Sequence, residues 1–190
     1  MKRFWELEEY QTDNTRLSVE EECCERHFIT TSRDASSGRF VVRLPFRENK
    51  TMLGRSREIA LKRFMYLERK FQGDQNFRDQ YAEFMREYIE LNHMSLVKED
   101  DALNAVYLPH HGVVRESSTT TKLRVVFDAS AKTTSGISLN DTLMVGVNLQ
   151  DNIIDIVMRF RLPAIAITAD LKKMYRQILL HSSDRDYQRI

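Results

Sequence analysis

This sequence is short of several things, and each shortage narrows what the chain can be. Only two of its 190 residues are cysteine, the neighbours Cys23 and Cys24. Adjacent cysteines rarely pair with each other, because the ring they would close is strained, and no third cysteine offers another partner. A disulfide scaffold is excluded and a reducing compartment fits. Cys23 and His27 stand four apart on an expected helix, but two ligands do not make a metal site. No apolar run approaches the ~20 residues that cross a bilayer. The N-terminus, Met-Lys-Arg-Phe-Trp-Glu-Leu-Glu-Glu, turns acidic at once and lacks the apolar core of a secretory signal. No internal repeat, low-complexity tract or flexible linker is present. Net charge is nearly absent too, at +1.

The distribution of charge says more than its sum. Residues 1–30 carry four basic against eight acidic side chains, and residues 31–70 eleven against four. Residues 71–101 carry three against eight, and residues 102–190 eleven against eight. A basic block between acidic ones could follow a phosphate backbone or form an ordinary solvated helix face. An apolar fraction of 42% is enough for a core.

Hydrophobic spacing predicts the elements. Ser18-Val-Glu-Glu21 is a capping box, so a short helix is expected through about Phe28. Asp34–Gly38 is turn chemistry. Arg39–Leu44 reads as a strand with Phe40, Val42 and Leu44 on one face, and Pro45 ends it. Ser56 is expected to cap a helix to Phe71, with Ala60, Phe64, Leu67 and Phe71 on one stripe. Gly73 should stop it. Asn76 is expected to cap a second helix in which Phe77, Tyr81, Phe84, Tyr88 and Leu91 recur. The two form an αα-hairpin whose aromatic stripe reads as core.

From Ala105 the texture changes. Val113–Arg115 and Leu123–Asp128 read as strands joined by the polar connector Glu116–Lys122. Leu123, Val125 and Phe127 share one face of the second strand; Arg124, Val126 and Asp128 share the other. A helix is expected from Gln150 or Asp151 to Arg161, with Ile153, Ile156, Val157 and Phe160 inward and Pro163 after it. Ile165–Ala169 is expected as a buried strand that delivers Asp170 at its end. Met174–Leu180 should return antiparallel, and Ser182 or Ser183 should cap a last short helix. Ile190 stands where an apolar strand would begin, which suggests a truncated reading frame or gene fragment. Two segments result: 1–104, containing the helical hairpin, and 105–190.

Strand-end aspartates usually cap turns, so Asp170 alone says little. Its flanks say more. Pro109-His-His-Gly-Val-Val-Arg115, Lys122-Leu-Arg-Val-Val-Phe-Asp-Ala-Ser130, Ser138-Leu-Asn-Asp141 and Thr168-Ala-Asp-Leu-Lys-Lys-Met-Tyr-Arg-Gln177 occur in that order. Together they resemble the reverse transcriptase of the Bel-Pao class of long-terminal-repeat retrotransposons. Phe4-Trp-Glu-Leu-Glu, Arg39–Pro45 and Leu67-Glu-Arg-Lys-Phe71 are similar to the segment preceding the polymerase in those polyproteins. The likeness covers nearly the whole chain.

The resemblance implies an α+β fold: a helical hairpin segment, then the fingers and first palm strands of a right-hand polymerase, incomplete. It implies templated DNA synthesis with Mg2+ in the complete enzyme. The partners would be an RNA or DNA template-primer and deoxynucleoside triphosphates, in the cytoplasm or a virus-like particle, away from membranes. Asp170 matches the first metal-binding aspartate and the Leu171 carbonyl the backbone ligand beside it. Tyr175 matches the residue whose ring screens against a ribose 2′-hydroxyl. Arg124 falls at the basic position that binds the triphosphate, where a planar guanidinium suits phosphate oxygens. Arg115 and Lys122 fall near the fingertip. A salt bridge from Arg124 to Asp128 on its own strand face is the alternative for that residue. Neighbouring His110 and His111 should point to opposite faces, so packing or surface roles suit them better than one metal.

The family's paired aspartates after Tyr-x are absent from this sequence, as are its thumb, RNase H, integrase and protease signatures. One carboxylate of three should make the chain inactive alone. A non-catalytic nucleic-acid-binding remnant and a structural or interaction piece are the other readings.

Overall fold

The computed structural model describes residues 17–30, 32–33, 37–47, 52–97, 105–115, 117–118 and 122–190. The Phe4–Glu8 match, most of the Asp34–Gly38 turn and most of the Glu116–Lys122 connector lie outside them. Helices and small sheets are mixed, as an α+β chain requires. The chain divides into two compact units, residues 1–30 with 144–168, and residues 31–143 with 169–190.

In the first unit, helix α1 (Val19–Ile29) starts at the expected capping box. The Ser18 N–H donates to Glu21 Oε2 at 2.7 Å, and the Glu21 N–H donates to Ser18 Oγ at 3.3 Å. The reciprocal bonds satisfy two N–H groups that helix geometry leaves over. The Val145 N–H donates to Glu20 Oε1 at 2.8 Å, holding the 144–146 strand of chain beside α1. Cys23 Sγ accepts from Arg26 at 3.2 Å. Among the described residues, no group of His, Cys, Asp and Glu is arranged to hold a metal.

The second unit is built on an αα-hairpin, α2 (Arg57–Gly73) and α3 (Gln75–Glu90). The caps differ from expectation. Ser56 makes no capping bond; its buried hydroxyl accepts from the Tyr107 N–H at 2.7 Å and so ties α2 to a later segment. Asp74, not Asn76, caps α3, accepting from the Phe77 N–H at 2.9 Å. Aspartate and asparagine cap comparably, and the charge of Asp74 also suits the helix N-terminal dipole. A one-residue joint results.

The hairpin packs on an antiparallel pair, β3 (His110–Val114) and β4 (Leu123–Phe127), in the register Gly112 to Val125 and Val113 to Arg124. Leu67, Phe77, Tyr81, Leu123 and Val125 form one buried cluster, flanked by Phe71, Phe84, Met85 and Phe127. Gly112 makes this approach possible. A Cβ there would stand 2.7 Å from Phe77 Cζ and 2.9 Å from a Leu123 methyl. A second cluster of Val106, Leu108 and Leu139 gathers Phe46, Leu53, Leu143 and Tyr187 around it.

A three-stranded sheet completes the unit. Here β1 (Ser32–Arg33) runs antiparallel to β2 (Phe40–Val42), which pairs in parallel with β5 (Leu179–Leu180). The antiparallel return expected for Met174–Leu180 is therefore corrected. Met174–Gln177 is a 3-10 turn, and only Leu179 and Leu180 pair. The closing 3-10 segment Ser182–Gln188 is capped by His181 rather than a serine.

Two further expectations fail together. Helix α4 (Ile153–Phe160) exists, but Ile153, Ile156, Val157 and Phe160 are exposed rather than inward. The buried strand Ile165–Ala169 is absent: the segment is irregular, with Ile165 80% and Ile167 85% exposed. A strand needs an edge to bond to, and no described strand pairs with this one.

Candidate nucleic-acid interface

The β3–β4 hairpin sorts its side chains by strand alternation. The inward face holds His110, Gly112, Leu123, Val125 and Phe127. The Tyr81 hydroxyl lies 2.5 Å from His110 Nδ1. Burial pushes the Tyr81 phenol far up, so it stays protonated within hydrogen-bond distance of the imidazole. Burial, with His111 beside it, pulls the His110 pKa down. His110 is thus a neutral core histidine, in contact with the rings of Tyr81, Phe64 and Phe127.

The outward face is basic. His111, Val113, Arg124 and Val126 are exposed on it. Beyond the strand ends, exposed Arg115 and Lys122 lie opposite each other, the Arg115 N–H donating to the Lys122 carbonyl at 2.8 Å. Alternation places one described carboxylate, Asp128, beside Arg124 and Val126. The bridge from Arg124 to Asp128 does not form. Asp128 instead accepts from Arg63 Nη1 at 3.0 Å and from Ser130, whose hydroxyl is 2.5 Å away. The Ser130 bonds first, then Arg63, hold its carboxyl below the usual range. Arg124 is left free to meet a ligand.

Asp170, Leu171 and Tyr175 sit elsewhere, on an exposed segment; Tyr175 is 79% exposed. Among the described residues no hydrogen bond or ion pair joins Asp170 to the hairpin cations. The residues between and after them do anchor the segment. Lys173, with left-handed backbone at φ +54°, pairs with Glu87 of α3. The Arg176 guanidinium lies 4.8 Å from the Tyr88 ring centre and 5.8 Å from that of Phe127, within cation–π range.

One residue at this anchor was not signalled by the sequence. His93 follows Asn92, whose φ of +56° turns the chain off α3. Its ring meets Tyr88 edge-on at 5.3 Å, and its Nδ1 is buried without a hydrogen-bond partner. Burial first, then Lys173, Arg176 and Arg39, lower its pKa. A histidine beyond a helix end carries no periodic signature, so only the tertiary contact reveals it.

The carboxylate set does not make a metal site by itself. Asp170 offers one side chain and Leu171 a carbonyl, and among the described residues no group of three or more His, Cys, Asp or Glu side chains forms around them. No catalytic step can be drawn through a metal held this way. No described helix is long and apolar enough to cross a membrane.

No family model, no curated protein and no solved structure matches this chain.

Proposed function

We propose that the chain is the fingers and opening palm of a reverse transcriptase resembling those of Bel-Pao retrotransposons, working in the cytoplasm or a virus-like particle. Two things support this reading: the order of its motifs and the outward face carrying Arg115, Lys122 and Arg124, whose neighbour Asp128 is taken up by Arg63 and Ser130. The second is the observation that carries it. Three cations that make no ion pair among the described residues are suited to phosphate. The anchoring of Lys173 and Arg176 on α3 and β4 ties the Asp170 segment to the same unit. In the complete polymerase Asp170 would share Mg2+ with the paired aspartates that this sequence lacks; alone, the chain is inactive.

The test uses the protein extended through a downstream Tyr-x-Asp-Asp. There Asp170→Asn abolishes primer extension while template-primer binding is retained, because the carboxylate serves the transition state rather than affinity. Arg124→Ala raises the nucleotide KM by about 10- to 150-fold, the cost of a lost charge-assisted contact. Tyr175→Val admits ribonucleotides. Wild-type extension by Asp170→Asn would overturn the reading. The exposed Asp170, with no metal-holding group of three or more side chains around it among the described residues, favours a second one: a nucleic-acid-binding remnant in which Arg124 matters and Asp170 does not. A piece acting only through its αα-hairpin would need neither.

A further inference from the structure

Helix α2 buries Ala60 and Leu67, with Phe71 half-buried beside them. At 100° per residue, Lys62, Met65, Tyr66 and Arg69 fall on the opposite side. All four are exposed, and Tyr66 is 73% exposed. The helix's other cations close to the core are engaged. Arg63 is bonded to Asp128, and the Lys70 ammonium lies 4.1 Å from the Phe77 ring centre. Lys62 and Arg69 have no partner among the described residues. The one acidic residue on this side is Glu58, a turn before Lys62.

We propose that this face of α2 binds single-stranded nucleic acid, with Tyr66 as a stacking platform for one base and Lys62 and Arg69 holding the phosphates on either side. Rise per residue puts Lys62 about 6 Å before Tyr66 and Arg69 about 4.5 Å after it along the axis. Both side chains are long enough to reach backbone oxygens flanking a base seated on the ring. Charge picks the occupant. Leu61 and Met65 are also exposed on this helix, but a ring flanked along the axis by two cations matches a π-face flanked by anions rather than an apolar protein surface. Sequence selectivity is not expected, since every base has a face to stack. The site stands on α2 alone and does not depend on the polymerase reading.

Fluorescence anisotropy of a labelled oligouridine with the full 190-residue chain at low salt tests it. Tyr66→Ala should weaken binding by about 5- to 150-fold, the usual cost of losing one stacked base. Lys62→Gln with Arg69→Gln should flatten the log–log salt dependence by roughly 1.4, about 0.7 for each phosphate released. Circular dichroism and the urea midpoint of each variant establish that α2 still folds. Absence of binding by the parent chain overturns the proposal, as does binding that survives Tyr66→Ala or the double change. A dimer in sedimentation that Tyr66→Ala converts to monomer also overturns it, because the face would then serve self-association. Binding by the parent chain that Tyr66→Ala leaves intact defeats this site alone, and the polymerase reading is tested separately by primer extension.

Discussion

The α2–α3 hairpin and the stretch from Ile153 to Ala169 are both rich in apolar residues. The first buries Leu67, Phe77 and Tyr81, and the second leaves Ile153, Ile165 and Ile167 in solvent. The difference lies in what faces them. Opposite α2 and α3, β4 supplies Leu123 and Val125 from its inward positions. Phe71 and Phe77 both meet Tyr81 edge-on, at ring distances of 5.2 and 5.9 Å, the arrangement that aromatic quadrupoles favour. The Ile153–Ala169 stretch meets no such surface among the described residues. Apolar spacing therefore tells which face of an element is sticky, while burial depends on a complementary surface elsewhere.

The largest effect that could break this contrast is a pair of truncations. Phe77→Ala should cost about 3–5 kcal/mol, since it removes a buried ring and leaves a cavity under Gly112. Ile156→Ala, on the exposed α4, should cost within about 0.5 kcal/mol. Urea denaturation followed by circular dichroism measures both. Equal losses would mean that α4 is packed after all. Hydrogen exchange gives the same contrast residue by residue: amides of α2 and α3 should be protected and those of 165–169 should not.

Gly112→Ala sharpens the contrast from the strand side. The added methyl would meet Phe77 and Leu123 at under 3 Å, and both belong to the buried cluster, so their side chains or the strand must shift. Overpacking of this kind costs about 1–3 kcal/mol. The pair Gly112→Ala with Phe77→Leu should recover part of that loss, a coupling that a double-mutant cycle reads directly. If the two changes simply add, the contact between Gly112 and Phe77 is not what limits packing there.

The same residues show how far sequence alone reached. The hairpin, its aromatic stripe and the alternation along β4 were legible, because each depends on spacing within one element. The cap of α3 was misplaced by two residues, as Asp74 and Asn76 are both competent caps and only the loop geometry decides between them. Arg124 was placed on the right face, but its neighbour's partner was not: Asp128 reaches Arg63, a residue sixty-five positions away. The strand expected at Ile165–Ala169 failed for the same reason as α4, since local pattern cannot supply a bonding edge. His93 and the anchor of Lys173 and Arg176 are tertiary in origin and left no mark in the spacing.

The smallest expected effect is a pH dependence seated in the packed unit. In the folded chain His110 is neutral, because burial and His111 oppose its charge, and its Nδ1 is hydrogen-bonded to the Tyr81 hydroxyl. In the unfolded chain an ordinary histidine takes up a proton near pH 6.5. Because the folded pKa is the lower one, the unfolded state binds more protons as pH falls below that value. Stability is thus fully present above about pH 6.5 and declines on acidification toward the folded pKa. His93 is lowered in the same direction and contributes with the same sign. Asp128, Asp141 and Glu87 have lowered values, so their contributions fade only in the carboxylate range, well below this window. Urea midpoints measured between pH 7.5 and 5 should therefore fall, and His110→Gln should flatten much of that slope at some cost in absolute stability. A slope unchanged in His110→Gln and removed instead by His111→Gln would place the sensitive histidine on the outward face. It would also mean that the inward packing of His110 against Tyr81, on which the hairpin's division into core and ligand faces depends, is wrong.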